Sequence, residues 1–91
     1  MASQYKAYFR CVILSAKQLI YEGEVTSLFV TGDRGEYEIL AYHYPLIGVV
    51  KGDIVVDWQK RLSVKGGVIR FFANECNIIV EENVSDKPKE E

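Results

Sequence analysis

Asp53-Ile54-Val55-Val56-Asp57-Trp58 and, after Gln59-Lys60, Arg61-Leu62-Ser63-Val64 form the stretch on which the fold turns. Side chains alternate across a β-strand with period 2, so Ile54, Val56 and Trp58 share one face of the first segment and Leu62 and Val64 one face of the second. Two such segments joined by a short polar link read as a hairpin. Outward from it, residues 5 to 81 repeat the theme, with short runs rich in Val, Ile, Tyr and Phe between closely spaced turn signals. Those signals are Gly23, Gly32-Asp33-Arg34-Gly35, Tyr44-Pro45, Lys51-Gly52-Asp53, Gln59-Lys60, Gly66-Gly67 and Asn74-Glu75. Each supplies a residue type suited to a tight turn or a positive φ, and the whole reads as an all-β sandwich or barrel almost without helix.

The strands expected are Tyr5 to Leu14, Leu19 to Tyr21, Val25 to Thr31, Tyr37 to Leu40, Ile47 to Val50, Ile54 to Trp58, Leu62 to Lys65, Val68 to Phe72 and Asn77 to Glu81. In the third, Val25 and Leu28 cannot share a face without an extra residue. Either a bulge intervenes or Phe29 is the inward partner, and the sequence leaves both open. The organisation expected is one β-sandwich domain over residues 1–84 and a flexible charged tail over residues 85–91, which holds no apolar residue except Pro88.

Composition narrows the function classes. Ninety-one residues allow one core, and 48% hydrophobic with 26% charged residues is ordinary for a chain that folds. Eleven Lys plus Arg against thirteen Asp plus Glu give a net charge of −2, without the basic excess that displaces counterions from a phosphate backbone, so nucleic acid is not an expected partner. Cys11 and Cys76 lie far apart without a Cys-x-x-Cys spacing. With His43 the single histidine, no standard zinc ligand set can be assembled, and no metal or other cofactor is expected. Each cysteine sits in an apolar run where a reduced, buried thiol behaves as a small hydrophobe, which fits a reducing cytosolic compartment. No stretch has the length of a membrane span or the pattern of a secretory signal.

Nor is a catalytic constellation legible, because His43 would have to serve every role and no Ser or Cys has an activating context. Gly32-Asp33-Arg34-Gly35 reads as a plain β-turn, since it lacks the Lys-Ser/Thr ending and the helix of a phosphate loop. Glu36 and Glu38 alternate beside Tyr37, the pattern of a solvated strand face. The loop Ala41-Tyr42-His43-Tyr44-Pro45-Leu46 is unusual in being so aromatic. Tyr42 and Tyr44 can bury a ring while keeping the hydroxyl wet, as interfaces use them, or can simply cover one end of the sandwich.

One ordered set of motifs goes further. Ile13-Leu14-Ser15-Ala16-Lys17, Tyr21-Glu22-Gly23-Glu24-Val25, Val30-Thr31-Gly32-Asp33-Arg34-Gly35-Glu36, Ile39-Leu40, His43-Tyr44-Pro45-Leu46 and Val64-Lys65-Gly66-Gly67-Val68 together resemble the N-terminal β-sandwich domain of the epsilon subunit of rotary F-type ATP synthases. The likeness runs from about Tyr5 to Glu82. There are departures: Glu38 stands where the family usually has glycine before Ile-Leu, Ala41-Tyr42 replaces Pro-Gly before the histidine, Tyr44 replaces a small residue, and Lys51-Gly52-Asp53 lacks the proline of the family's turn. The family usually continues into a C-terminal helical hairpin that can inhibit ATP hydrolysis and in some members binds ATP, whereas this sequence ends nine residues after Glu82. Neither inhibition nor ATP binding is therefore expected of it.

The expected fold is a two-sheet β-sandwich of the epsilon N-terminal type, and the strand pattern places Ile54, Val56, Trp58, Leu62, Val64, Ile69 or Phe71, Ile79 and Leu28 or Phe29 in its core. The resemblance implies a non-catalytic central-stalk subunit at the cytoplasmic face of the inner membrane or its organellar equivalent. Such a subunit binds the gamma subunit with one side and rests on the c-ring with its lower end, helping to couple ion-driven rotation to ATP synthesis. Position by position, Glu36, Tyr37, Tyr42, His43 and Tyr44 become the expected c-ring contact. His43, Leu46, Ile47, Gly48 and Ile54 become the expected gamma contact. A reading of another class, a free-standing sandwich adaptor that binds peptides along a strand edge, needs none of these partners.

Overall fold

The computed structural model describes residues 7–81 of the chain. The expected tail, residues 1–6 and 82–84 of the expected domain, and with them the start of the first expected strand at residues 5 and 6, lie outside them. Nine strands are present: β1 (Phe9–Leu14), β2 (Leu19–Val25), β3 (Ser27–Gly32), β4 (Gly35–Leu40), β5 (Leu46–Val50), β6 (Asp53–Val56), β7 (Lys60–Ser63), β8 (Gly67–Phe72) and β9 (Glu75–Val80). No helix occurs among the described residues. The strands form two sheets, one ordered β2-β1-β9-β8-β5 and the other β4-β3-β6-β7. Every pairing is antiparallel except β1 with β9, which places the first and last strands side by side and parallel in the middle of the larger sheet.

Alternation dictates the core. Phe9, Cys11 and Ile13 of β1, Ile69 and Phe71 of β8, and Cys76, Ile78 and Val80 of β9 point inward from the larger sheet. Leu28, Val30, Ile39, Ile54 and Val56 meet them from the smaller one. Phe9 and Phe71 pack edge to face with centroids 5.5 Å apart, a geometry that sets the positive ring edge against the negative face. Both cysteines are buried, as expected of small hydrophobes.

Several expectations need correction. Trp58 is not in the core: β6 stops at Val56, and Asp57 and Trp58 both take left-handed backbone (φ 53° and 60°), so the tryptophan is turned out and 66% exposed. The hairpin with β7 exists, but its turn is residues 57–59. Ile79 is also outside, because the two-residue turn Ala73-Asn74 (φ 53° and 60°) sets the register in which Cys76, Ile78 and Val80 face inward. Leu62 and Val64 are only partly buried against the core.

The question of Val25 and Leu28 resolves through a break at Thr26. Gly23 lies inside β2 rather than at a turn, and the chain leaves the larger sheet after Val25 and enters the smaller one at Ser27. Val25 and Leu28 are both buried, each from its own sheet, while Phe29 lies on the outer face against Trp58 with centroids 5.3 Å apart.

Candidate functional site

The turn Asp33-Arg34 closes the β3–β4 hairpin between paired Gly32 and Gly35. Gly35 has φ 121°, open to glycine and strained for other residues, and a Cβ on Gly32 would sit 3.0 Å from the Val49 carbonyl oxygen. The hairpin therefore lies tight against β5 and presents a polar tip. Glu36, the next residue, is exposed opposite Thr31 on the outer face of the smaller sheet. Tyr37 points the other way: its ring packs against the core, its hydroxyl lies over Gly48, and burial raises its pKa. It is thus a part-buried wall between β4 and β5 rather than part of an exposed contact. Glu38 accepts a hydrogen bond from the Ser27 hydroxyl at 2.6 Å, which explains how a carboxylate occupies a position where glycine was expected.

At the far end of β4 the aromatic loop is built from backbone. Tyr42 is left-handed (φ 65°) and donates its N–H to Asn74 Oδ1 at 2.6 Å, while Asn74 Nδ2 donates to the Tyr8 carbonyl at 2.8 Å. The His43 N–H donates to the Leu40 carbonyl. Its Nδ1 lies 2.7 Å from the Tyr44 carbonyl oxygen, which only accepts, so the proton is on Nδ1. The imidazole lies against Tyr44 with centroids 4.4 Å apart and the rings tilted by 42°, and meets Phe71 edge-on at 5.8 Å. Held this way, His43 is a part-buried strut, and Tyr42 and Tyr44 are the exposed groups, each 74% open.

The expected c-ring set is accordingly divided. Glu36 and Tyr42 are separated by the length of β4, about 20 Å for six residues at about 3.3 Å each. The polar turn and the aromatic loop occupy opposite ends of the sandwich. In the expected gamma set, Ile54 is wholly buried in the core and has no surface to offer, because alternation from Asp53 points it inward. Leu46 packs on the core, whereas Ile47 is 77% exposed on the outer face of the larger sheet, beside Arg70 and Phe72.

Ile47 borders a surface not foreseen in the sequence. Leu19, Leu14, Ile79, Val68 and Val49 are successive cross-strand partners, so one apolar row crosses all five strands on the outer face of the larger sheet. All but the part-buried Leu14 are about half exposed. The neighbouring row, Ile47, Arg70, Asn77, Val12 and Glu22, mixes apolar and polar groups. Consecutive apolar residues in four strands, Val12-Ile13-Leu14, Val49-Val50, Val68-Ile69 and Ile78-Ile79-Val80, were the available signal, since such runs put apolar side chains on both faces. The described surface thus carries an apolar row on one side, a polar turn at one end and an aromatic loop at the other, and no cluster of potential metal ligands exists among the described residues.

The sequence model of the family described as ATP synthase, Delta/Epsilon chain, beta-sandwich domain matches residues 8–86. The chain belongs to that family. It is 47% identical over 83 residues to an ATP synthase epsilon chain of Psychrobacter sp., covering 86% of this chain and 60% of that one. It is 35% identical over 77 residues to an ATP synthase epsilon chain of Xanthomonas campestris pv. campestris, covering 79% and 55%. The chain therefore spans somewhat more than half the length of these relatives. In fold it is similar to a chain of the Tetrahymena thermophila mitochondrial ATP synthase central stalk and c-ring, with TM-score 0.70, 13% identity, and 89% of this chain and 67% of that one covered. The membership explains why the sandwich fold and the order of motifs agree so closely with the epsilon-type pattern.

Proposed function

We propose that this epsilon-family sandwich works as a non-catalytic part of the central stalk of an F-type ATP synthase, binding the gamma subunit and resting on the c-ring. The observation that carries the reading is the family match across almost all of the described sandwich. Geometry then divides the labour. The polar tip Asp33-Arg34 with Glu36 suits the polar loops of a c-ring. The apolar row through Ile79 and Val68, continued by Ile47, suits a lasting contact with gamma, where area removed from water contributes more than exposed charge. The ring then lies at the Glu36 end, and Tyr42 and Tyr44 lie at the end away from it. The role is mechanical: a laddered sheet pair with an interdigitated core shears little, so torque applied through one contact reaches the other. The chain would act peripherally, at the membrane face that carries the catalytic head, without crossing the bilayer.

Co-expression of the tagged chain with the gamma subunit of the same source tests this. A stable one-to-one complex in size-exclusion chromatography is the expected result. A chain that stays free of gamma yet captures short extended peptides would replace the reading with that of a peptide-binding adaptor.

A further inference from the structure

Cys11 and Cys76 are 65 positions apart in sequence and stand directly opposite one another on the parallel neighbours β1 and β9. Both side chains face inward and both are completely buried. Paired residues of adjacent strands have Cα atoms about 5 Å apart, inside the window of roughly 4.4 to 6.8 Å that a disulfide spans. The two thiols therefore share one layer of the core, between the same pair of neighbouring strands. Within the described residues the two cysteines are free.

We propose that Cys11 and Cys76 form a latent disulfide site that fastens the first strand of the sandwich to the last. The oxidant is hydrogen peroxide. One thiol, deprotonated, attacks the O–O bond to give a sulfenic acid, and the first water leaves. The second sulfur displaces the hydroxyl of that sulfenic acid, forming the S–S bond and releasing a second water. Two electrons pass from the thiols to the peroxide. The same bond can arise by exchange with oxidised glutathione, one thiol displacing glutathione and the other resolving the mixed disulfide.

Position governs when this happens. The closed core keeps both thiols away from solvent and oxidant, so the intact sandwich reacts slowly and the bond closes while β1 and β9 are docking or transiently parted. Once closed, it joins strands at the two extremes of the described fold. Because the pair is in register, folding brings the sulfurs together, and by linkage whatever favours the folded arrangement also favours the bond.

The test uses the full chain in glutathione redox buffers, with the equilibrium between dithiol and disulfide monomer measured by mass, a loss of about 2 Da marking the bond formed with two thiol hydrogens removed. Measurements are made in native buffer and in a denaturing concentration of guanidinium. The proposal expects an equilibrium constant for the disulfide at least tenfold larger in native buffer, and an oxidised chain that keeps the far-ultraviolet spectrum of a sheet protein with a higher Tm. An equal or smaller constant in native buffer, or an oxidised monomer that no longer folds, overturns it. Cys11→Ala and Cys76→Ala should each yield no lighter monomer, which identifies the bond without requiring those variants to be fully stable.

Discussion

The carboxylate of Asp57 reaches across from the β6–β7 turn to hold Thr26, accepting from its backbone N–H at 2.7 Å and from its hydroxyl at 2.9 Å through the same Oδ1. That oxygen also accepts the Ser27 N–H at 3.1 Å, and the Asp57 N–H donates to the Ser27 carbonyl at 2.9 Å. Thr26 is where the chain first passes from one sheet to the other, so Asp57 fastens the first of the corners that join the two sheets. Hydrogen bonds to a charged acceptor contribute about 1.5 to 3 kcal/mol, and Asp57 is also left-handed, which Asn tolerates and Ala resists. Asp57→Ala should therefore cost about 2 to 4 kcal/mol in urea unfolding. Asp57→Asn should cost less than half as much.

The same corner marks where sequence reading succeeds and stops. Nine short strands were legible from alternation and turn chemistry, and so was the β6–β7 hairpin. Trp58 was misplaced because it continues the period set by Ile54 and Val56, and alternation does not register a carboxylate bonded to a residue 31 positions earlier. Ile79 was misplaced because Ile78-Ile79-Val80 is apolar throughout and only the turn at Ala73-Asn74 sets its phase. The parallel pairing of β1 with β9 leaves no local trace. At the site, Glu36 and His43 are near in sequence, yet an extended strand turns that closeness into separation.

Gly67 pairs with Val80, and a Cβ added there would lie 2.5 Å from the Ile79 carbonyl oxygen and 3.0 Å from Val80 Cα. Both obstacles are backbone, so no side chain can rotate away. Gly67→Ala should force β8 from β9 at that end and lower stability by about 2 kcal/mol or more, read as a fall in Tm. Gly66→Ala is the control: its nearest contact would be 3.7 Å, and the change should be within about 0.5 kcal/mol.

Alkaline conditions should destabilise the sandwich in a defined order. The hydrogen bond with Cys11, followed by burial, pushes the Cys76 thiol far up from its ordinary 9.0, and burial raises Tyr37 and Tyr21 from 10.0. The folded state holds these protons more tightly than the unfolded chain does. Their contribution is fully present below the unfolded values and is lost as pH rises through and above them. Tm should thus hold steady below pH 9, start falling there, and fall more steeply past pH 10. Cys76→Ala should remove the first part of the decline, whereas Tyr37→Phe should soften the second.

The apolar row and the polar turn should separate in function. Val68 lies in the outer row between Val49 and Ile79, half exposed, so Val68→Asp adds a charge to the proposed gamma surface while leaving the buried core unchanged. Desolvating that charge without a partner should weaken gamma binding at least tenfold, about 1.4 kcal/mol. Glu36→Gln removes one exposed charge whose pairing is worth about 0.2 to 1 kcal/mol and is screened by salt. It should leave gamma binding within about twofold and loosen coupling at the c-ring only at low ionic strength. Because Val68 and Glu36 lie on different sheets and share no strand partner, the double variant should add the single effects. Tyr42→Ala with Tyr44→Ala, at the end of β4 away from Glu36, should likewise add to Glu36→Gln rather than mask it. Gamma binding measured by calorimetry, alongside ATP hydrolysis and ion pumping of the reassembled complex, checks all three. A Val68→Asp chain that folds normally and binds gamma unchanged would move the gamma surface off the larger sheet.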